Sequence, residues 1–473
     1  MMLGLLLARA GVAVTVLEKH SDFLRDFRGD TVHPSTLTLL DELGLGAKFA
    51  KIPHRLIQQV QTPVGNDLVQ VLDFRRIPGP HKHLAFVPQW DFLDLLADAG
   101  RAEPTFTLRM HTEATGLVTE GGTVVGVRYQ SADGISGELR ADLTVACDGR
   151  RSVLRDAAGL RARSFGVPMD VWWFRLPRHE GDPEGVAGRF GSGQGMALID
   201  RGDYFQCAYL IRKGSDAALR SEGIEAFQQR VVAMLPWLAG RMGAVRSFDD
   251  VALLDVRLDR LRRWSTEGLL CLGDAAHAMS PVGGVGINLA IQDAVAAARL
   301  LAEPLRRGAL TRRHLDRVQL RRWAPTALTQ AVQRAIHARL LGPALASDIA
   351  LVGGGSGRSP LPIRLLQRFP LLQAVPATAV GIGFLPEHAP PSPVVALQGL
   401  PTRVPRVANC RQPRGQPLAT VTCATHRIEP FADEQGQGRV NNALLTQRPA
   451  VRRGPGRMPP GRGKDGHQLP PFA

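Results

Sequence analysis

Residues 271–294 read "CLGDAAHAMSPVGGVGINLAIQDA", and their types and spacing suit the gripping of a nucleotide. An apolar run ends in Gly273 and Asp274, and the carboxyl ends of strands are where open α/β sheets present ligands. The Asp274 carboxylate carries two acceptor oxygens matched to sugar hydroxyls. Pro281 follows, then Gly283, Gly284 and Gly286, then a helix that begins near Asn288. The glycines let backbone N–H groups approach a flat or anionic group, and the helix N-terminus adds the positive end of its dipole. A helix cap with a simple turn is the plainer reading, and it leaves most of this joint pattern without a purpose.

A second stretch, "CDGRRSVLR" at 147–155, also places an acid at the end of an apolar run. Asp148 is suited to bond backbone amides where strand meets helix, with Arg155 bracing the loop; helix capping after an Asp-Gly turn is the structural alternative. A third, "VAVTVLEKH", is a β-branched run that stops at Glu18 and Lys19. Other reactive residues have quieter readings. His277 is expected to be a structural histidine beside the glycine loop rather than a base. His81-Lys82-His83 lacks a nearby carboxylate or cysteine, so no metal site is expected. Cys147 and Cys271 sit at strand ends and read as small core residues.

The elements that must position these residues follow from periodicity. Residues 3–10 form an apolar helix that turns at Gly11, and Val12–Leu17 form a buried strand. "HPSTLTLLDELGL" and "FVPQWDFLDLLADAG" each start an amphipathic helix just after a proline and end it at a glycine. Residues 106–146 alternate in three runs divided by "EGG" and "ADG", a meander whose last run turns solidly apolar. "MDVWWFRLP", "GMALID" and "YFQCAYLI" read as strands of a separate sheet, and residues 287–342 read as helices. The chain therefore leaves an α/β layer and returns to it, which predicts an α/β fold with an inserted α+β domain.

Composition sets outer bounds. At 473 residues the chain can bury a large core, and its five cysteines show no metal spacing, which fits a reducing, cytoplasmic setting. No uninterrupted apolar run reaches the ~20 residues of a membrane span, and the apolar opening lacks the basic region of a secretory leader. Of the net charge of +15, about half lies in residues 391–473, which carry 13 of the 34 prolines. That tail, enriched in Arg, Pro and Gly without periodicity, reads as either disorder or a frameshifted segment beginning near residue 391. The rest shows no aromatic-interleaved basic patch, so no nucleic-acid partner is expected.

The stretch 273–294 resembles the second FAD-binding motif of the single-component flavoprotein hydroxylases, the family of para-hydroxybenzoate hydroxylase and the ubiquinone-biosynthesis hydroxylases. "CDGRRSVLR" is similar to that family's D-G-x-x-S-x-x-R motif, with Asp148, Gly149, Ser152 and Arg155 in place. "VTVLEKH" resembles the strand that ends in a ribose-binding acid, here Glu18 followed by Lys19. "FRGDTVHPSTL" and "VPQWDFL" resemble the segments that supply an arginine and a glutamine to FAD, here Arg28 and Gln89. The likeness runs from residue 1 to about 390. It implies a Rossmann-like FAD-binding domain (1–163 and 263–345), an inserted substrate domain (164–262), a helical segment (346–390) and the basic tail (391–473).

The resemblance further implies FAD as cofactor, NADH or NADPH as reductant, O2 as co-substrate and a small aromatic or polycyclic substrate in a monomer or homodimer. Oxygen would reach the ring through a flavin hydroperoxide. Pro281 would flank the flavin, and backbone donors around Val285, Gly286, Ile287 and Asn288 would stabilise the reduced, anionic ring, so Pro281, Gly286 and Asn288 are the catalytic candidates. Trp172, Phe174, Phe205 and Tyr209 are candidate substrate contacts, although residues of this kind are more often plain core. A departure stands at the start, where the family's leading strand and G-x-G-x-x-G loop do not precede the first helix. Met1 is accordingly read as an internal methionine, and weak FAD retention and the loss of a central strand are expected. A geranylgeranyl-reductase-type reductase, a halogenase and a non-catalytic relic stay open; "WWFRLP" at 172–177 only approaches the halogenase W-x-W-x-I-P signature.

Overall fold

The computed structural model describes residues 1–23, 31–64, 67–191, 193–346, 368–390 and 418–423. Met2–Arg9 is a helix, Gly11 turns the chain at a φ of 80°, and Ala13–Glu18 is a buried strand, as the opening pattern predicts. The helix lies very close to the sheet: a Cβ at Gly4 would stand 2.8 Å from Val16 Cγ2 and 2.9 Å from the Phe106 ring. Only a residue without a side chain allows that approach.

Six strands form the main sheet, in the order Ser265–Thr266, Leu269–Cys271, Leu143–Ala146, Leu418–Cys423, Ala13–Glu18 and Phe106–Arg109. All neighbours pair in parallel except the short edge strand at Ser265. The expectation that the sheet lacks a central strand is corrected here. Leu418–Cys423 fills that position, with Ala13 opposite Leu418 on one side and Leu143 opposite Ala419 on the other. Two buried strands otherwise face each other with unpaired N–H and C=O groups, and "LATVTC" is a short β-compatible run able to satisfy both edges. The remaining tail residues, and the reading of a frameshift or disorder there, lie outside the described residues.

A three-stranded antiparallel meander (Thr112–Glu120, Thr123–Ser131, Ser136–Arg140) flanks this layer. The chain then builds a second, five-stranded sheet in the order Val186–Gly191, Gln194–Asp200, Tyr204–Arg212, Met169–Pro177 and Ala252–Leu254. One face of it packs on the helix Ile224–Met234 around Phe227. On return to the main sheet, the strand Leu269–Cys271 leads to the long helices Gly286–Arg306 and Arg312–Ile336. Among the described residues one helix, Val282–Arg306, is long and apolar enough to cross a membrane, and 67% of its apolar window is buried inside the protein. Alanine richness explains this: a smooth helix can pack between a sheet layer and its neighbouring helices.

Candidate functional site

The two acid-bearing strand ends meet. Leu143–Ala146 and Leu269–Cys271 are adjacent parallel strands, and beyond them Leu272 N–H donates to Ala146 O at 3.0 Å. Asp148 turns inward, where its carboxylate accepts from Leu154 N–H at 3.2 Å in the first turn of the short helix Val153–Ala157, which Ser152 caps by accepting from Arg155 N–H at 3.0 Å. Burial pushes its carboxyl up despite that bond. Gly149 takes a φ of 83°, and Arg155 ties the two tips together by donating to Arg150 O at 3.2 Å and to Ala275 O at 3.5 Å. Asp274 stays one-third exposed at the mouth, with Arg150 Nε donating to its Oδ2 at 3.0 Å. Sequence reasoning passed over Arg150; its place in the "DGRRS" turn beside an acid-bearing strand end was the available signal.

Behind this turn lies a buried charged network. Gly273, at a φ of 58°, donates its N–H to Asp293 Oδ2 at 3.2 Å, and His277 Nε2 meets the same oxygen at 2.6 Å. Arg322 Nε donates to Asp293 Oδ1 at 3.1 Å, and Glu387 receives Arg321 at 2.6 Å and lies 3.6 Å from Arg322. His277, Asp293, Arg322 and Glu387 are all at most 3% exposed. Burial alone would raise the Asp293 carboxyl, yet His277 and the Arg322 guanidinium hold it below the ordinary carboxylate range. His277 is thus a member of the support beneath the tip, ringed by Trp264 at 4.8 Å. The thiol of Cys271 is driven up to about 12, chiefly by burial, which suits a packing residue and not a nucleophile.

The glycine loop is held from two sides. Pro281 leads into a tight turn in which Gly283 and Gly284 take φ values of 80° and 63° and Gly284 N–H donates to Pro281 O at 3.0 Å. A Cβ on Gly284 would stand 3.1 Å from Thr31 Oγ1, so the loop sits directly on the segment 31–33. His33 meets Gly284 O at 3.0 Å and Val380 O at 2.7 Å, and burial lowers its pKa. From the other side Gln333 donates to Ser280 O at 3.0 Å and to Val282 O at 2.9 Å, while Ser280 Oγ meets His337 Nε2 at 2.9 Å. Val285 is buried and Ile287 packs against the main core. The Asn288 side-chain oxygen accepts from Ser35 at 2.9 Å and Thr36 at 2.8 Å, so its side chain is an anchor. The amides of Gly286, Ile287 and Asn288 fall in the first turn of the helix, where N–H groups have no intrahelical acceptor.

Other expected residues distribute as follows. Glu18 ends its strand, buried, and accepts from His20 N–H at 3.1 Å; Lys19 lies 3.7 Å from Glu113. Gln89 opens the helix Gln89–Arg101 with a buried Oε1 that has no hydrogen-bond partner among the described residues. Arg28 lies outside the described residues. Trp172, Phe174, Phe205 and Tyr209 are at most 2% exposed and belong to the cluster around Phe227, on the sheet face opposite the one that Val282 touches. Strand alternation is the reason: even positions from 172 to 176 share one face, and odd positions share the other. His81 pairs with Asp41 at 2.7 Å, and among the described residues no cluster of three metal-ligating side chains forms.

These features fit FAD: a one-third-exposed carboxylate and an arginine at paired strand ends, a tight glycine turn with two positive φ values leading into a helix N-terminus, and an orphaned glutamine oxygen. A profile for the family described as FAD binding domain matches residues 1–332. The chain is 37% identical over 342 residues to a 6-methylpretetramide 4-monooxygenase of Streptomyces rimosus, a match covering 70% of this chain and 79% of that protein. It is 30% identical over 321 residues to a 12-dehydrotetracycline 5-monooxygenase/anhydrotetracycline 6-monooxygenase of Streptomyces rimosus subsp. rimosus, covering 62% and 59%. The fold is similar to that of OxyS anhydrotetracycline hydroxylase from Streptomyces rimosus (TM-score 0.60, 23% identity, 80% of this chain and 73% of that one). It is also similar to pqsL of Pseudomonas aeruginosa, described as a probable FAD-dependent monooxygenase (TM-score 0.61, 20% identity, 73% and 94%).

Proposed function

This chain belongs to the FAD binding domain family of FAD-dependent aromatic monooxygenases, and on that premise we propose that it hydroxylates a polycyclic phenol. In the overall reaction one oxygen atom of O2 enters the ring as a hydroxyl and the other leaves as water, with NADH or NADPH giving up a hydride and a proton taken from solvent. FAD, when bound, carries those electrons between the nicotinamide and oxygen. The polycyclic class rests on the printed substrates of the two relatives from Streptomyces rimosus.

The residues divide the work. Asp274, held by Arg150, and Glu18, at the end of its strand, would receive sugar hydroxyls of the cofactor, and Gln89 would offer its orphaned oxygen. The first-turn amides of Gly286, Ile287 and Asn288 would stabilise negative charge on the reduced ring, an effect often worth a few kcal/mol for such donors. Pro281 and the glycine turn would lie against the ring, and the buried Val285 with the half-buried Val282 would help exclude water there. Asp148, Arg155 and His277 act one step back by fixing the tips.

The observation that carries this reading is the backbone contact of the two strand ends at 3.0 Å, beside a glycine turn with two positive φ values. The test is oxygen-18 incorporation into a panel of polycyclic phenols with NADPH or NADH as reductant. Ring-bound label is expected; nicotinamide oxidation without label in any phenol of the panel would sink the proposal. Asp274→Ala is expected to weaken FAD retention about ten- to a hundredfold, measured as flavin content after dialysis.

A further inference from the structure

Arginines across this part of the fold find carboxylates: Arg150 meets Asp274, Arg178 meets Asp200, Arg220 meets Asp216 and Arg241 meets Asp182. Arg163, Arg260 and Arg334 do not. Among the described residues, the side chain of none of the three makes an ion pair or donates a hydrogen bond.

These three charges are brought together. Ala162–Ser164 and Asp259–Leu261, where the chain leaves the main layer and returns to it, pair as a two-stranded antiparallel ladder. Its register sets Arg163 directly opposite Arg260, and like charges so placed destabilise a ladder. The long helix Arg312–Ile336 brings the third charge: Gln330 donates to Asp259 O at 2.7 Å and holds the helix against the strand, and Arg334 lies one turn further on. All three guanidiniums gather on Phe165, their Cζ atoms 5.5, 5.5 and 5.1 Å from its ring centre. Arg260 also lies 4.9 Å from the ring centre of Trp323. Burial, and then the charges of Arg163 and Arg334, lower the pKa of Arg260. Arg163, Trp323 and Arg334 are exposed, so the group is open to solvent. It is assembled from three segments remote in sequence, and no linear run announces it.

Stacking on an aromatic ring attracts each cation but cancels none of its charge. We propose that Arg163, Arg260 and Arg334 bind a phosphate dianion carried by a small molecule. A guanidinium presents a planar fork to two oxygens at once, and a phosphate monoester offers two charges and three acceptor oxygens, enough for several forks. A carboxylate would satisfy one arginine and leave the other two facing each other. Phe165 packs on the cluster of Leu258, Met279, Val285 and Leu289, so the site lies behind the glycine turn and is joined to it through that ring. The phosphate has two sources, a separate phosphomonoester or the 2′-phosphate that NADPH carries and NADH lacks. Only the second rests on the oxygenase reading above.

The test titrates inorganic phosphate into the full FAD-loaded chain by calorimetry, against sodium chloride of equal ionic strength. Wild type is expected to take up phosphate and not chloride. Arg163→Gln on the ladder and Arg334→Gln on the helix are each expected to weaken phosphate binding about tenfold and to leave flavin content unchanged. Phosphate should also raise the melting temperature of wild type more than that of either variant, since only a ligand that binds the folded state stabilises it. Phosphate heats no larger than those of chloride, or wild-type phosphate affinity in both variants, overturn the site. The source is read from the KM of each nicotinamide in the same variants. A KM about tenfold higher for NADPH and unchanged for NADH upholds the site and assigns it to the 2′-phosphate; unchanged KM for both, with phosphate binding lost, upholds it and assigns it to a separate phosphomonoester. Phosphate binding in a chain that labels no phenol leaves the site standing and sinks the proposed reaction. Labelling of a phenol by a chain that binds no phosphate does the reverse.

Discussion

The two halves of the nucleotide-binding layer are secured by different means. The Gly-Asp half, from Leu269 to Arg306, is fixed by side chains: Asp293, Arg322, Gln330 and Gln333 each reach the turn or its flanks from long helices. The half that begins at Ala13 is completed by backbone pairing with Leu418–Cys423, which lies some 400 residues downstream. Side-chain networks specify one geometry because each member has a unique partner. A parallel ladder specifies a slot that any β-compatible run of the right length can enter. The first kind of support is local and selective, and the second is generic and contributes through the number of hydrogen bonds.

The sharpest way to break this contrast is to remove the generic support. Deleting residues 391–473 leaves the inner edges of Ala13–Glu18 and Leu143–Ala146 unpaired in the middle of the sheet. With paired positions lost on both sides, a destabilisation on the order of 5–10 kcal/mol is expected, at roughly 1 kcal/mol net for each hydrogen bond. Thermal melting would show it as a large drop or as loss of a cooperative transition. A single Val421→Pro substitution in the intact chain is expected to cost about 3 kcal/mol, since proline removes a ladder donor from a central strand. An unchanged melting curve in both variants would mean that Leu418–Cys423 does not occupy the slot in solution.

How much of this was legible beforehand depended on whether a feature is local. The strand ends at Asp148 and Asp274, the turn at Gly283–Gly286 and the helix Met2–Arg9 were readable because apolar runs stop abruptly at Asp, Gly or Glu. The role of Leu418–Cys423 was not, because a ladder partner carries no side-chain signature and the surrounding composition hides a six-residue run. The two faces of "MDVWWFRLP" were not legible for another reason. Six of its first seven residues are buried, so alternation of hydrophobicity could not separate Trp172 from Trp173. The Asp293–Arg322–Glu387 network joins positions far apart in sequence; an aspartate embedded in "NLAIQDAVAAA" was the one visible hint.

Removing the selective support should cost less in total and show its effect near the site. Asp293→Ala strands His277 and Arg322, both 1% exposed, without their shared carboxylate. Breaking a buried pair in this way is expected to destabilise by about 3–5 kcal/mol. Gly273 also loses the acceptor for its N–H, so flavin content should fall more than in a surface variant of equal melting temperature. Equal flavin content at matched stability would separate the network from the tip.

The smallest expected effect is a pH dependence carried by the same carboxylate. His277 and Arg322 overcome the opposing influence of burial and hold Asp293 below the usual range. A carboxyl depressed in the folded state contributes stability at pH values above its unfolded pKa of about 3.9, and that contribution fades as pH falls through the folded value. Wild-type melting temperature should therefore decline below about pH 4, and Asp293→Asn, lower throughout, should show a shallower decline over that interval. Leu418–Cys423 is joined to its neighbours by backbone ladders that carry no titratable group, so Val421→Pro should shift the whole curve downward and leave its acid slope parallel to wild type. Parallel slopes in all three proteins would show that the charged network does not set the acid limit, and the distinction between selective and generic support would then rest on flavin retention alone.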